Sequence, residues 1–126
     1  MKAVFALALL AAVVALAAAA PKETYSTKYD NLDVDAILNN PRTLDAYFKC
    51  MVDQGPCTPE GREFRKNLPD ALATDCSKCS DAQKNLIRKV SKHLIQHHPD
   101  KWEQVKKKFD PKGEHHDRFQ KFLNAH

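Results

Sequence analysis

The sequence lacks the features by which membrane-spanning, β-sheet and glycosylated chains are usually recognised. After an apolar run that ends at residue 20, no second long apolar segment occurs, so we expect no membrane insertion of the mature chain. No segment shows the alternation of apolar and polar residues that is typical of a strand. Because no Asn-x-Ser/Thr acceptor occurs, N-glycosylation is not expected either.

Motifs for catalysis and metal binding are also missing. The sequence has no G-x-S-x-G elbow, and His93 and His97 lack the glutamate that H-E-x-x-H requires. Asp30, Asp33 and Asp35 lack the glycine and the terminal glutamate of an EF-hand loop. The two histidines, four residues apart, could chelate a metal weakly, but surface histidines are the simpler interpretation. We therefore predict no enzyme activity, no metal site and no cofactor.

A strong excess of one charge is absent as well. The chain carries 20 Lys and Arg against 16 Asp and Glu, and only Lys2 of these lies in the first 20 residues. The one basic run, 106–108, is flanked by Glu103 and Asp110. This mixture indicates a solvated helix face rather than the basic stripe of a nucleic-acid-binding protein. No nucleic-acid partner is expected.

Residues 1–20 predict a cleaved signal peptide with an approximate boundary. Lys2 precedes an uninterrupted apolar run, Ala3 to Ala20, which ends in repeated A-x-A signals. A transmembrane anchor is the alternative, but the run is short, rich in alanine and followed by no basic stop-transfer cluster. We therefore expect residues 21–126 to form one secreted domain of about 106 residues with a modest core.

All four cysteines lie between residues 50 and 79, with the spacing C-x6-C-x18-C-x2-C. In a secreted chain this favours two disulfides over a zinc site or a redox pair. Sequence alone does not choose among the three connectivities. However, residues three apart in a helical turn have Cα atoms about 5 Å apart, and QGPC can form a tight reversal. Geometry therefore favours the local pairs Cys50–Cys57 and Cys76–Cys79.

Helical spacing of apolar residues recurs in six segments separated by proline or glycine. Thr58 before Pro59 predicts one helix start, and the capping box from Ser80 to Gln83 predicts the start of the longest helix. Pro69 predicts a kink or a break. The six apolar stripes are Val34-Ile37-Leu38, Leu44-Tyr47-Phe48-Met51, Phe64-Leu68-Leu72, Leu86-Ile87-Val90-Leu94, Trp102-Val105-Phe109 and Phe119-Phe122-Leu123.

These patterns predict an all-α single domain of six short amphipathic helices with two local disulfides. Helix bundles place small-molecule sites between helices, lined by apolar side chains with a few polar groups. A solid core is the alternative, and periodicity does not distinguish it from a core that encloses a cavity.

The cysteine spacing occurs together with YSTKYDNLDVDAILNN, YFKCMVDQGPCTPEGREFRKNLPDALATDCSKCS and HHPDKWEQVKKKFDP. In these motifs the chain resembles the insect chemosensory proteins, also called the OS-D or pherokine family, from about Thr24 to Phe122. The resemblance implies six α-helices around an apolar channel and the same local disulfide pairing. It also implies binding of long aliphatic, fatty-acid or pheromone-like molecules. Phe64 stands where many relatives have leucine, which would reshape a pocket locally.

Matched by position, the resemblance also implies a set of pocket residues. Tyr47 and Gln83 would contact the head group of a ligand, and the others would cover its chain. Trp102 would lie at an end or edge of the channel, a position that suits its amphipathic ring. The full set is Tyr47, Phe64, Leu68, Gln83, Ile87, Val90 and Trp102.

The sequence thus predicts a secreted, monomeric, non-enzymatic carrier of small hydrophobic ligands, with a membrane receptor as a conceivable partner. The alternative is a secreted developmental or defence factor on the same fold, which would act through a protein partner. Displacement of a fluorescent probe by long-chain alcohols and acids distinguishes the two.

Overall fold

The computed structural model describes residues 24–125, which form six α-helices joined by short turns and contain no β-strand. The predicted signal peptide lies outside the described residues. None of the helices within this range is long and apolar enough to cross a bilayer. The helices are α1 Val34–Leu38, α2 Pro41–Met51, α3 Pro59–Thr74, α4 Asp81–His97, α5 Pro99–Phe109 and α6 His116–Asn124.

Both helix starts that the sequence predicted are confirmed. The Thr58 side chain accepts a hydrogen bond from the backbone N–H of Gly61, 3.1 Å away, at the start of α3. At the start of α4 the Ser80 hydroxyl accepts from the backbone N–H of Gln83, and the Gln83 side chain accepts from the backbone N–H of Ser80. This reciprocal capping box pairs two donors that the helix itself leaves unpaired. It opens the longest helix, with 17 residues.

Pro69 does not break α3, which continues for 16 residues from Pro59 to Thr74. The sequence predicted either a kink or a break at Pro69, and the prediction of a break is therefore wrong. A proline removes one N–H donor from the helix. Leu68 and Ala71, on either side of the proline, are both buried. Their burial stabilises the two halves of α3 in the same packed layer.

The apolar core is divided into two clusters, and α4 contributes to both. The first cluster joins α1, α2 and α4 and consists of Leu38, Leu44 and Leu94. The second joins α3, α4 and the turn between them and consists of Ala71, Cys76 and Ile87. Side chains of α5 pack against the first cluster and side chains of α6 against the second. The longest helix therefore connects two separate cores.

The disulfides have the predicted local pairing. Cys50 is bonded to Cys57 with a Cα–Cα distance of 4.9 Å, and Cys76 to Cys79 with 5.0 Å. The first bridge closes the corner between α2 and α3. The second closes the turn between α3 and α4. Each bridge thus fixes a corner and does not tie distant parts of the chain together.

We predict that reduction lowers the melting temperature but leaves much of the helical structure at 25 °C. Each short bridge contributes about 2 kcal/mol in the chain-entropy model. Each fully buried Leu, Ile or Phe contributes about 1.5 to 3 kcal/mol, and the two clusters hold several such side chains. Circular dichroism before and after mild reduction measures both quantities, with thiol titration as the control for complete reduction. Complete loss of the helical signal at 25 °C would contradict this ranking.

Candidate functional site

An apolar cavity of about 170 Å³ lies between the helices, and α4 supplies much of one wall. Most of the side chains around it are aliphatic or aromatic. Six of the seven predicted pocket residues line this cavity. They are Tyr47, Phe64, Leu68, Gln83, Ile87 and Val90.

A second cavity of about 100 Å³ lies beside the first, toward α5 and α6. Trp102, the seventh predicted residue, lines this second cavity and not the first. Several side chains line both cavities and so form a wall between them. This shared wall consists of Met51, Phe64, Leu68, Ile87, Val90, Leu94 and Val105.

The shared wall owes its position to helical periodicity. Ile87, Val90 and Leu94 follow one another at intervals of three and four residues, so they lie on one face of α4. Phe64 and Leu68 are four residues apart and present a matching face of α3. Ile87 and Leu94 are buried, whereas Val90 is partly accessible. All three side chains border both cavities, and Val90 is the most accessible of them.

A hydrogen-bonded Tyr–Glu pair lies at the wall of the first cavity. The Tyr47 hydroxyl donates to Oε1 of Glu60 over 2.5 Å. This hydrogen bond lowers the pKa of the Glu60 carboxyl, because it favours the ionised form. Partial burial, followed by the bond to Glu60, raises the pKa of Tyr47. At neutral pH the pair consists of a neutral phenol and an ionised carboxylate. The hydroxyl predicted to meet a ligand thus already has one partner.

The Gln83 side chain has structural partners as well. Its carbonyl oxygen accepts from the Ser80 backbone N–H at 2.9 Å, and its amide nitrogen donates to the Ser26 carbonyl oxygen at 2.8 Å. Gln83 therefore links the segment before α1 to the start of α4. A role at a ligand head group, as the resemblance implies, would have to share these bonds.

Two tyrosines before α1, outside the six apolar stripes of the sequence, belong to the first cavity. Tyr25 and Tyr29 both line the cavity. The Tyr25 backbone N–H donates to the Lys78 carbonyl oxygen at 3.0 Å, and its hydroxyl donates to Asp70. Burial, with the Asp70 contact, raises the pKa of Tyr25. The spacing of the two rings, four residues apart within YSTKYDN, was the signal that could have indicated a packed segment.

Trp102 lies where two groups of aromatic and aliphatic side chains meet. Its ring stacks on Phe119 with a centroid distance of 5.9 Å and an interplanar angle of 19°. It also packs against the Leu38–Leu44–Leu94 cluster. The indole is partly exposed, so it borders the second cavity from the side of α5.

The histidines near the end of α4 are close to one another. The His93 ring centroid lies 4.8 Å from that of His97 and 5.6 Å from that of His98. Burial, then the neighbouring imidazoles, lowers the pKa of His93. Within residues 24–125, no group of three or more His, Cys, Asp or Glu side chains is placed to hold a metal ion.

Comparison with known protein families matches residues 25–117 to the insect pheromone-binding family A10/OS-D. Among curated proteins, the chain is similar to ejaculatory bulb-specific protein 3 of Drosophila melanogaster. The two are 52% identical over 99 residues, which cover 79% of each chain. It is also 41% identical over 107 residues to the allergen Tha p 1 of Thaumetopoea pityocampa, with 85% of each chain covered.

Solved structures give the same result for the fold. A chemosensory protein in complex with bromo-dodecanol superimposes with a TM-score of 0.73 at 37% identity, covering 78% of this chain and 98% of that one. Antennal chemosensory protein A6 from the moth Mamestra brassicae gives a TM-score of 0.65 at 37% identity, covering 80% and 94%. The six-helix arrangement is therefore shared with these proteins.

We expect Tyr47→Phe to raise the pKa of the Glu60 carboxyl toward its ordinary value of 4.5, since the donor that stabilises the ionised form is removed. A lowered folded-state pKa contributes stability above the unfolded-state pKa, and this contribution disappears as the pH falls through the folded-state value. The difference in the free energy of unfolding between the parent and Tyr47→Phe should therefore decrease as the pH falls through the folded-state pKa of Glu60. NMR titration of the Glu60 side-chain carboxyl measures the pKa.

Tyr25→Phe is the matched control, because it removes a hydroxyl that donates to Asp70 instead. It should leave the titration of Glu60 unchanged. An unchanged Glu60 pKa in Tyr47→Phe would show that the Tyr47–Glu60 bond is not formed in solution.

Proposed function

Since the chain belongs to the insect pheromone-binding family A10/OS-D, we propose that it is a secreted, non-enzymatic carrier of small hydrophobic ligands. The ligands would be long-chain aliphatic molecules, fatty-acid-like or pheromone-like, held inside the helical domain. The family description, insect pheromone-binding, supports the carrier role, and the ligand class and the residues that bind it are proposed for this chain.

The observation that carries the proposal is the pair of apolar cavities on either side of one wall. Small-molecule sites are usually about 300 to 1,000 Å³ and mostly apolar. Neither cavity reaches that size alone, but their volumes of about 170 and 100 Å³ come close to it together. A cavity of about 150 Å³ holds a molecule as small as benzene. A long chain would therefore need both cavities.

In the proposed complex the aliphatic chain crosses the shared wall. Phe64, Leu68, Ile87 and Val90 border both cavities, so they would contact the middle of the chain. Trp102 would cover the part of the ligand in the second cavity. Tyr47 and Gln83 lie at the first cavity, where the head group would meet their polar atoms and those of Glu60.

Similarity to a ligand complex supports the same class of ligand. The related chemosensory protein, 37% identical, has been solved with bromo-dodecanol, an aliphatic alcohol with a twelve-carbon chain. A twelve-carbon chain is longer than either cavity here would accommodate without using the other. We extend the ligand class from that protein to this chain on the basis of the shared fold and the apolar cavities.

Secretion, a monomeric state and delivery to a membrane receptor complete the proposal. The apolar run of residues 1–20 supports export, and an oxidising compartment suits the two disulfides. All four cysteines are in disulfides, so none of them has a free thiol that could act as a nucleophile. A non-enzymatic role follows from the absence of recognised catalytic motifs in the sequence.

We predict that Val90→Trp leaves a folded protein but weakens the binding of long aliphatic ligands at least about tenfold, equivalent to about 1.4 kcal/mol. Val90 borders both cavities and is only partly buried. An indole at this position would fill space that the ligand needs, whereas in a solid core it would cost about 1 to 3 kcal/mol of stability. Displacement of a fluorescent probe by alcohols of eight to sixteen carbons measures the affinities.

Ile95→Trp provides the control, because Ile95 lies on the same helix but is an exposed apolar side chain, with 36% of its surface accessible. It should bind as the parent does. Tyr47→Phe should weaken binding less than Val90→Trp, since the ring remains. Failure of Val90→Trp to fold, or parental affinity in that variant, would show that the α4 face borders solid core.

A further inference from the structure

We propose that the first cavity selects its ligand by head-group charge, so that it binds long-chain alcohols and amines in preference to carboxylates of the same length. This inference rests on the proposed function, since it assumes that a ligand enters the cavity. It narrows that function from aliphatic molecules in general to those with a neutral or positively charged head.

The polar groups at the first cavity are acidic or neutral. Among the described residues that line it, the charged side chains are Asp30, Glu60 and Glu63, and none is Lys, Arg or His. All three are partly buried. Each therefore lies at the boundary between the apolar interior and water, where the head group of an inserted aliphatic chain would also lie.

Glu60 is the acidic group with the best-defined geometry. It accepts a hydrogen bond of 2.5 Å from the Tyr47 hydroxyl, and the bond favours the ionised form of the carboxyl. The phenol donates to Glu60, and its oxygen, which the Thr58 side chain also approaches, can accept but not donate a further hydrogen bond. A ligand that approaches this pair thus meets oxygen atoms that accept hydrogen bonds and one full negative charge.

Four lysines contact residues that line the first cavity, but none of the four lines it. Lys78 lies 3.8 Å from the Asp70 carboxylate, the group that also accepts from Tyr25. The Lys28 ammonium lies 5.5 Å from the centroid of the Tyr29 ring and is exposed to solvent. Lys101 and Lys108, beside the lining residues Phe48 and Met51, pair with Asp45 and Asp53. Three of these four lysines are therefore already paired with carboxylates.

The second cavity is lined by basic as well as acidic side chains, so the purely acidic lining is specific to the first cavity. Lys106, His115 and His116 line the second cavity together with Asp110. Lys106 is itself paired with Glu103 at 2.9 Å. The chain as a whole has a positive formal charge, +4, so a preference against anions would not arise from its long-range field.

Electrostatics then ranks the three head groups. An alcohol can donate its O–H to a carboxylate or phenol oxygen and carries no charge to be repelled. An ammonium group gains from nearby carboxylates, and a carboxylate is repelled by them, by an amount that grows in a medium less polar than water. Because the three acidic residues are partly exposed, salt should screen the difference.

The test compares dodecylamine, dodecanol and dodecanoate at pH 7, each below its critical micelle concentration, by displacement of a fluorescent probe. We expect the amine to bind at least about tenfold more tightly than the acid, with the alcohol also ahead of the acid. Raising the ionic strength should reduce the amine-to-acid ratio and leave the alcohol unchanged.

The variant for this test combines Glu60→Gln with Glu63→Gln, which removes two charges and keeps the side-chain shapes. Its amine-to-acid ratio should fall at least about threefold, because the charges that distinguish these two head groups are removed. Glu63→Gln alone keeps the Tyr47–Glu60 bond and should give a smaller change in the same direction. Glu114→Gln is the matched control, because Glu114 is exposed and lines neither cavity.

The outcomes separate the two proposals. If dodecanol does not bind the parent, the carrier function fails, and the inference fails with it. If dodecanol binds but the three head groups bind equally, or the double variant leaves their ratio unchanged, the carrier function stands and charge selection is wrong. Tighter binding of dodecanoate than of dodecanol would also overturn charge selection.

Discussion

The apolar face of α4 is the element on which the rest of the structure depends. Leu94 belongs to the first core cluster and Ile87 to the second, while Val90 between them borders both cavities. Contacts of α4 with α1, α5 and α6 place three other helices around it. This helix of 17 residues therefore contributes to both core clusters. The side chains between the clusters do not fill all of the space and leave the two cavities.

Ion pairs and hydrogen bonds join the helices at the surface of the domain, whereas its interior is mostly apolar. Asp53, just after α2, forms ion pairs with Arg65 of α3 and Lys108 of α5. The hydrogen bond from Lys108 lowers the pKa of the Asp53 carboxyl. On the other side, Arg88 donates to the Phe122 carbonyl oxygen at 2.9 Å and lies over the ring of the same residue. Such contacts join neighbouring helices at the surface of the domain, and none of these three cations lines the first cavity.

Sequence reasoning could assign residues to inward helix faces, but it could not assign the groups of the candidate site that lie outside those faces. Phe64, Leu68, Ile87 and Val90 could be assigned to inward faces because each follows its neighbours at helical spacing. Their grouping as pocket residues came from the resemblance to a family. Glu60 lies in the first turn of α3, and its contact with Tyr47 could not be predicted, because the two residues lie on different helices. Periodicity carries no information about which polar side chains on separate helices meet.

The sequence by itself determined the helices and the two helix starts at Thr58 and Ser80, because these depend on residues a few positions apart. The cysteine spacing favoured the local disulfides but left the three connectivities open, and the structure shows the local pairs. Only the tertiary structure decided that the apolar faces leave cavities between two clusters and that α3 continues through Pro69. It also decided that the segment of Tyr25 folds back onto the turn at Lys78. These features depend on how side chains from distant segments fill a shared volume, and a pattern along one chain does not record that volume.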